Sequence, residues 1–199
     1  MILDRDLFNY SVIRKMDYYK PKQTERLSIR PLTCDDAITW NSFVSDDRAT
    51  KFFPESMKSE PLSAETWLKY QLERYKNKKY GLMGLVEQST GSLIGQAGLL
   101  IQSINKKDEL EIGYHLLPDF WGNGYATEAA KFFKRFAFDN KLSTSVISII
   151  HVNNKASQKV AKRNGMAIDK KVLFRKMPAF IYRIDKSEHF LNINRLTSN

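Results

Sequence analysis

The chain has 199 residues, 42% of them hydrophobic, which is enough to bury one core and argues for one domain rather than two. Its single cysteine, Cys34, cannot close an internal disulfide, the first 23 residues are interrupted by charges where a signal peptide would be apolar, and no stretch approaches the about 18 uninterrupted apolar residues of a membrane span. A soluble, cytoplasmic protein is expected. The 32 Lys and Arg outnumber the 22 Asp and Glu for a formal charge of +10, and from His151 onward eleven basic residues face only three acidic ones. Such a basic quarter favours an anionic partner without naming it: nucleic acid, a phosphorylated cofactor or an acidic surface.

In chain order, residues 24–32 alternate Arg26, Ser28 and Arg30 against Leu27 and Ile29, which predicts a short strand. Thr33 is placed as an N-cap, with Asp35 and Asp36 in the first turn of a helix running to Ser45. Phe52, Phe53 and Pro54 read as loop. Ser63 caps a second helix, Ala64 to Asn77, with Trp67, Leu68, Leu72 and Tyr75 at helical spacing. Residues 82–88 and 92–101 flank a Ser-Thr-Gly turn and predict a β-hairpin. The next run, 109–117, puts Leu110, Ile112, Tyr114 and Leu116 on an apolar face and Glu109, Glu111, Gly113 and His115 on a polar one.

Residues 124–138 carry Ala126, Ala129, Ala130, Phe133, Phe136 and Ala137 as a helical stripe whose small residues allow close approach to a sheet. Residues 145–152 are a β-branched run expected to be buried on both faces. A helix over 154–164 ends at Gly165, with Ala156 and Val160 on its apolar side and Lys155, Lys159, Lys162 and Arg163 opposite. Residues 167–185 predict a hairpin whose loop lies near Lys176 to Ala179, broken by Pro178. The order β-α-α-β-β-β-α-β-α-β-β describes a mixed α/β or α+β domain.

The stretch Trp121-Gly122-Asn123-Gly124 joins a strand to a helix, a place where unpaired N–H groups and the helix dipole converge on an anion. No lysine follows either glycine, so it is not a P-loop, and its late position after a hairpin does not suit a dinucleotide fingerprint. WGNGYATEA (121–129) instead resembles the Q/R-x-x-G-x-G/A motif of the GNAT acetyltransferase superfamily, and its tryptophan is similar to the RimJ/RimL-like branch, which acetylates N-termini of ribosomal proteins. HVNNKASQKVAKRNGM (151–166) resembles the family's N-x-x-S-x-x-V-x-x-K-x-G-F/M segment, and TERLSIRPLTCDDA (24–37) the opening of that branch. The resemblance spans residues 24–185. It implies a single GNAT acyl-CoA N-acyltransferase domain over 24–190, with a central mixed, mostly antiparallel sheet flanked by helices, an N-terminal extension (1–23) and a C-terminal tail (191–199).

By that resemblance, acetyl-CoA is the cosubstrate and an amine the acceptor. The pantetheine arm would lie against backbone at Leu116 and Leu117, and the pyrophosphate against Trp121, Gly122, Asn123, Gly124, Tyr125, Ala126 and Thr127. Asn154 would bond the pantetheine or cap its helix, and Arg163, within the basic stripe, would meet the 3′-phosphate. Direct transfer needs a neutral amine, a donor to the developing oxyanion and stabilisation of the thiolate. Glu111, on the polar strand face, is the first candidate base, with His115 second and His151 weaker. The family's usual tyrosine acid is replaced by Ala161, which leaves Ser157 to stabilise the thiolate by hydrogen bonding. No metal is implied.

A protein N-terminal amine is the expected acceptor. A small cationic amine such as a polyamine or aminoglycoside competes, although acidic residues for it are scattered (Asp46, Asp47, Glu55, Glu60). An idle domain that binds RNA or a ribosomal surface is the third reading, with nucleic acid left open rather than favoured and a homodimer also left open. Trp40, Phe52, Phe53 and Trp67 fall on the family's acceptor side.

Overall fold

The computed structural model describes residues 17–55 and 63–189; Glu60 and the 191–199 tail lie outside them. Among the described residues, eight strands form one sheet in the order β1-β2-β3-β4-β5-β6-β8-β7. They are β1 (Lys22–Gln23), β2 (Leu27–Arg30), β3 (Leu82–Glu87), β4 (Leu93–Ile104), β5 (Lys107–Leu116), β6 (Ser145–His151), β7 (Ala167–Phe174) and β8 (Met177–Asp185). Every neighbouring pair is antiparallel except β5 and β6. The helices are α1 (Asp36–Val44), α2 (Asp47–Thr50), α3 (Ala64–Lys76), α4 (Tyr125–Asp139) and α5 (Lys155–Arg163).

The predicted α4 stripe meets the sheet. Ala129, Ala130, Phe133, Phe136 and Ala137 are buried against Leu99, Ile112 and Val146 in one apolar cluster, and the alanines let the helix axis approach the strands. On the opposite face α1 and α3 bury Trp40, Phe43, Trp67 and Leu68 against Leu82, Leu93 and Leu117. Residues 17–23, assigned by sequence to an extension, are joined to this core: the buried Tyr18 hydroxyl donates to the Gly81 carbonyl at 2.5 Å and accepts from Leu99 N–H at 2.8 Å, and β1 pairs with β2.

Several local expectations are corrected. Thr33 does not cap α1. The helix starts at Asp36, whose carboxylate accepts from the Thr33 N–H at 2.8 Å and takes a two-pronged Arg30 guanidinium at 2.8 and 2.7 Å; its N-cap position is Asp35, with no side-chain cap hydrogen bond. Asp46 caps the extra short helix α2. The hairpin β4–β5 extends to Ile104 and Lys107 through a two-residue turn, Asn105 and Lys106, both at positive φ (51° and 66°). The β7–β8 turn is likewise Arg175–Lys176 (φ 48° and 64°), earlier than expected; Pro178 lies inside β8, where its carbonyl accepts from Val152 N–H at 3.1 Å. On α5 the buried side is Gln158 and Ala161, while Ala156 is exposed. No helix among the described residues is long and apolar enough to cross a membrane.

Candidate active site

The sheet splits at its one parallel junction. β4 and β5 share ten registered pairs, from Gly95↔Leu116 to Ile104↔Lys107, whereas β5 and β6 share only Glu111↔Ile147. Beyond that pair, side chains take over the ladder positions. The Ser148 hydroxyl donates to the Ile112 carbonyl at 2.9 Å, and the Ile149 N–H donates to Glu111 Oε1 at 3.4 Å. From Gly113 to Leu116 the two strands therefore diverge, leaving a backbone edge of β5 without a strand partner. Leu117 N–H is consumed by the Ile94 carbonyl at 2.9 Å and its own carbonyl accepts from Phe120 at 3.0 Å. Of the two expected pantetheine positions only Leu116 faces the gap, because alternate residues of a strand point their N–H and C=O to opposite edges. Its carbonyl already accepts from Trp121 Nε1 at 2.8 Å. That bond holds the half-exposed indole beside the mouth of the gap.

The glycine loop ends that gap. Gly122 and Gly124 sit at φ 82° and 85°, the left-handed region, and turn the chain from the short 3-10 segment Pro118–Phe120 into α4. Among the described residues, the N–H groups of Gly122 to Thr127 meet no protein acceptor, and the buried Thr127 Oγ1 is also without a partner. A row of free donors at a positive helix end, with a buried hydroxyl beside it, suits an anion such as a pyrophosphate. Two residues that the sequence did not single out brace the loop. Glu128 accepts from Thr24 Oγ1 (2.6 Å), Arg26 N–H (2.8 Å) and Arg26 Nε (2.8 Å), and the Arg26 guanidinium reaches on to the Asn123 carbonyl at 3.0 Å and over the Tyr125 ring at 4.4 Å. Tyr125 itself donates its hydroxyl to Glu87, so its side chain anchors the helix start to β3.

Across the gap stands the N-terminus of α5. Asn154 is its N-cap, with Oδ1 accepting from Ser157 N–H at 3.0 Å, so the capping role is observed. Ser157 is half-buried, and its carbonyl accepts from the Tyr114 hydroxyl at 3.0 Å. The Tyr114 phenol, raised well above its ordinary range by burial, stays protonated and ties β5 to α5 across the opening. Ala161, in the place of the family's tyrosine, is buried. Arg163 is exposed at the far end of the helix, six residues or about 9 Å along the axis from Ser157, and Lys155, Lys159 and Lys162 are exposed along the same helix.

The polar face of β5 is not solvated. Glu111 is 8% exposed; burial pushes its carboxyl above the ordinary range, and the Gln102 amide, which donates to Oε2 at 2.7 Å, pulls part of that back. Glu109, two residues away, is held below its usual range chiefly by the Arg183 guanidinium at 2.9 and 3.1 Å, so it is committed to an ion pair. His115 lies within 5.3–5.7 Å of the ring centres of Phe43, Phe53 and Trp67, and burial lowers its pKa to about 4, which keeps it neutral. His151 stacks near Phe52 at 5.1 Å and accepts from Asn153 N–H through Nδ1 at 3.0 Å. Trp40 and Trp67 belong to the core, leaving Phe52 and Phe53 as the half-buried aromatics on this side.

Gln102 also lines a cleft of about 280 Å³ between the β4–β5 and β7–β8 hairpin ends, with Ile104, Val172, Phe174 and Arg175. The divided sheet, the donor-rich loop and the start of α5 thus meet at the C-terminal end of β5, while Glu111, a buried carboxylate of raised pKa, lies at the single registered pair of β5 and β6. Neither Gln102 nor Tyr114 stands out as a site residue in the sequence. Tyr114 sits on the apolar face of the β5 alternation, and Gln102 falls between the two predicted strands.

Residues 26–167 match the family model of the acetyltransferase (GNAT) domain. The chain is 28% identical over 159 residues to the uncharacterised protein YkkB of Bacillus subtilis, covering 80% of this chain and 92% of that protein. It is 26% identical over 144 residues to the uncharacterised N-acetyltransferase YoaA of the same organism, covering 72% and 80% respectively. Among solved structures, RimL, a ribosomal L7/L12 alpha-N-protein acetyltransferase in complex with coenzyme A, superposes with a TM-score of 0.68 at 16% identity, over 83% of this chain and 98% of that one. The architecture expected from the motifs, a mostly antiparallel mixed sheet flanked by helices, is the one observed.

Proposed function

Because the chain belongs to the acetyltransferase (GNAT) domain family, we propose that it transfers acetyl from acetyl-CoA directly to an amine, and that this amine is a protein or peptide N-terminus. The observation that carries the reading is the convergence on the β5–β6 split of Glu111, the Leu116 N–H edge and the unpaired N–H groups of Gly122 to Thr127. Those N–H groups and Thr127 Oγ1 would hold the pyrophosphate, and the free β5 edge would align the pantetheine as a strand aligns against a sheet.

In this reading Glu111 takes the proton from the ammonium, directly or through a water, since only the neutral nitrogen attacks a thioester. Its raised pKa brings it towards the range in which a base both holds and releases a proton near neutrality. The new C–N bond forms as the C–S bond breaks, and the nitrogen, positively charged on bonding to carbon, loses its second proton to solvent to give the amide. The Leu116 N–H is the donor nearest the gap for the developing oxyanion, and Ser157 Oγ stabilises the departing thiolate by hydrogen bonding while solvent supplies its proton. His115 is too acidic as an imidazolium to serve as the base, and its ring packs as part of the acceptor wall.

Turnover of acetyl-CoA, followed as free thiol, against N-terminal peptides, polyamines and aminoglycosides tests the reading. Acetylation of peptide α-amines above the small amines is expected. Preferred turnover of a polyamine or aminoglycoside would replace the acceptor class, and coenzyme A binding without turnover of any amine would point to an idle domain.

A further inference from the structure

The cleft lined by Gln102 ends at the two hairpin turns, and those turns share a chemistry the transfer reaction does not use. Each is a pair of residues at positive φ, Asn105–Lys106 and Arg175–Lys176, and Lys106, Lys107, Arg175 and Lys176 are all exposed there. Against these four cations stand the exposed Asp108 and the buried Glu109, which Lys107 approaches to 3.6 Å and which is already committed to Arg183. The rim is therefore strongly cationic. The opposite charge lies behind the lining: Gln102, which lines the cleft, donates its amide to the buried Glu111 carboxylate, which has Arg175 as a nearby positive group. Below the rim the walls are apolar, with Ile104, Val172 and Phe174 half-buried or buried and Leu173 73% exposed at the edge.

This arrangement fits a molecule with a cationic end and an anionic body. An ammonium is drawn towards the Glu111 carboxylate behind Gln102, and the rest of the molecule passes an apolar wall and meets a positive rim. We propose that this cleft is the acceptor subsite and that it selects a peptide amine followed within its first few residues by acidic side chains. The proposal rests on the N-terminal amine reading above and adds the sequence class of the acceptor.

Competing occupants fit less well. A polyamine carries positive charge along its whole length and would be repelled at the rim. A nucleic acid would bring phosphates towards the buried Glu111, and the lining offers a single aromatic ring, Phe174, for bases to stack on.

The test uses the full chain, acetyl-CoA and peptides of equal length whose residues 2–4 are Asp and Glu, neutral, or Lys. The acidic series is expected to exceed the lysine series in kcat/KM by about tenfold at low salt, with the difference shrinking as salt rises. The double variant Arg175→Glu with Lys176→Glu should reverse the order while leaving coenzyme A affinity unchanged, which also shows that it folds. Equal kcat/KM across the three series, or a preference that survives the charge reversal, would overturn the proposal while leaving N-terminal acetylation standing. No turnover of any peptide, with a small amine accepted instead, would remove both. Inhibition of peptide turnover by a single-stranded RNA oligomer below the KM of the acidic peptide would reassign the rim to nucleic acid and overturn the acidic-peptide subsite.

Discussion

Gln102 donates its side-chain amide to Glu111 Oε2 at 2.7 Å, diagonally across β4 and β5, whose registered partners there are Gln102↔Glu109 and Leu100↔Glu111. The bond favours the ionised carboxylate while burial disfavours it, and burial is the larger effect.

The consequence for catalysis has a definite sign. Gln102→Leu removes the hydrogen bond that favours the charged form, so the Glu111 pKa should rise further, and the rising limb of kcat/KM against pH should move to higher pH with the plateau nearly kept. Glu111→Gln should instead flatten that limb and lower kcat by about 100-fold or more, the usual worth of a positioned base. A Gln102→Leu limb that stays in place would mean Glu111 is not the titrating group.

The same buried face sets a stability window. His115 has a native pKa of about 4 against an ordinary 6.5, because the surrounding rings exclude water. A lowered base favours the folded state fully above the unfolded pKa, and that contribution is lost as pH falls from about 6.5 through 4. Between pH 7 and 4.5 the wild type should lose about 2 kcal/mol more stability than His115→Asn, allowing for partial solvent access. Urea titrations of both proteins at the two pH values measure the difference. Equal losses would show that His115 does not carry this penalty.

The loop and the β5 alternation are readable because each depends on neighbours in the chain: glycines that permit positive φ, small residues that let a helix approach, and a period of two along a strand. What the alternation cannot reveal is how far packing covers its polar side, which makes Glu111 a buried group and His115 a half-buried one, both of shifted pKa rather than freely solvated. The Arg26–Glu128 brace joins residues 102 apart and carries no local signature. On α5, Ala156 is apolar by type, yet the helix turns Gln158 inward to bond the Val152 carbonyl at 2.8 Å, a preference set by the carbonyl that the neighbouring loop leaves unpaired. Pro178 suggests the β7–β8 turn by composition, whereas two basic residues in left-handed conformation make it.

Glu128 is the hinge of that long-range brace. Burial raises its pKa, but the Thr24 and Arg26 hydrogen bonds outweigh it and hold the carboxyl below its ordinary range. Its contribution to stability is therefore present above about pH 4.5 and lost as pH falls through the native pKa. Glu128→Ala should cost about 1–3 kcal/mol, the lower half because the Arg26 side chain is 42% exposed. With Arg26 released from Asn123, the KM for acetyl-CoA should rise more than kcat falls. A variant that loses stability but keeps its KM would confine the brace to folding.

The two loop glycines separate backbone strain from ligand contact. A Cβ on Gly122 (φ 82°) would meet nothing within 4 Å, so Gly122→Ala carries only the left-handed penalty, about 1 kcal/mol. A Cβ on Gly124 (φ 85°) would stand 3.4 Å from the Arg26 guanidinium, an ordinary contact with the end of a flexible side chain, so Gly124→Ala should carry a similar penalty. If the loop N–H groups hold a pyrophosphate, both variants should weaken coenzyme A binding in calorimetry severalfold while leaving pantetheine, which lacks the pyrophosphate, unaffected. Parallel losses for the two ligands would move the anion away from this loop, because strain transmitted to the pantetheine edge of β5 would then account for the effect.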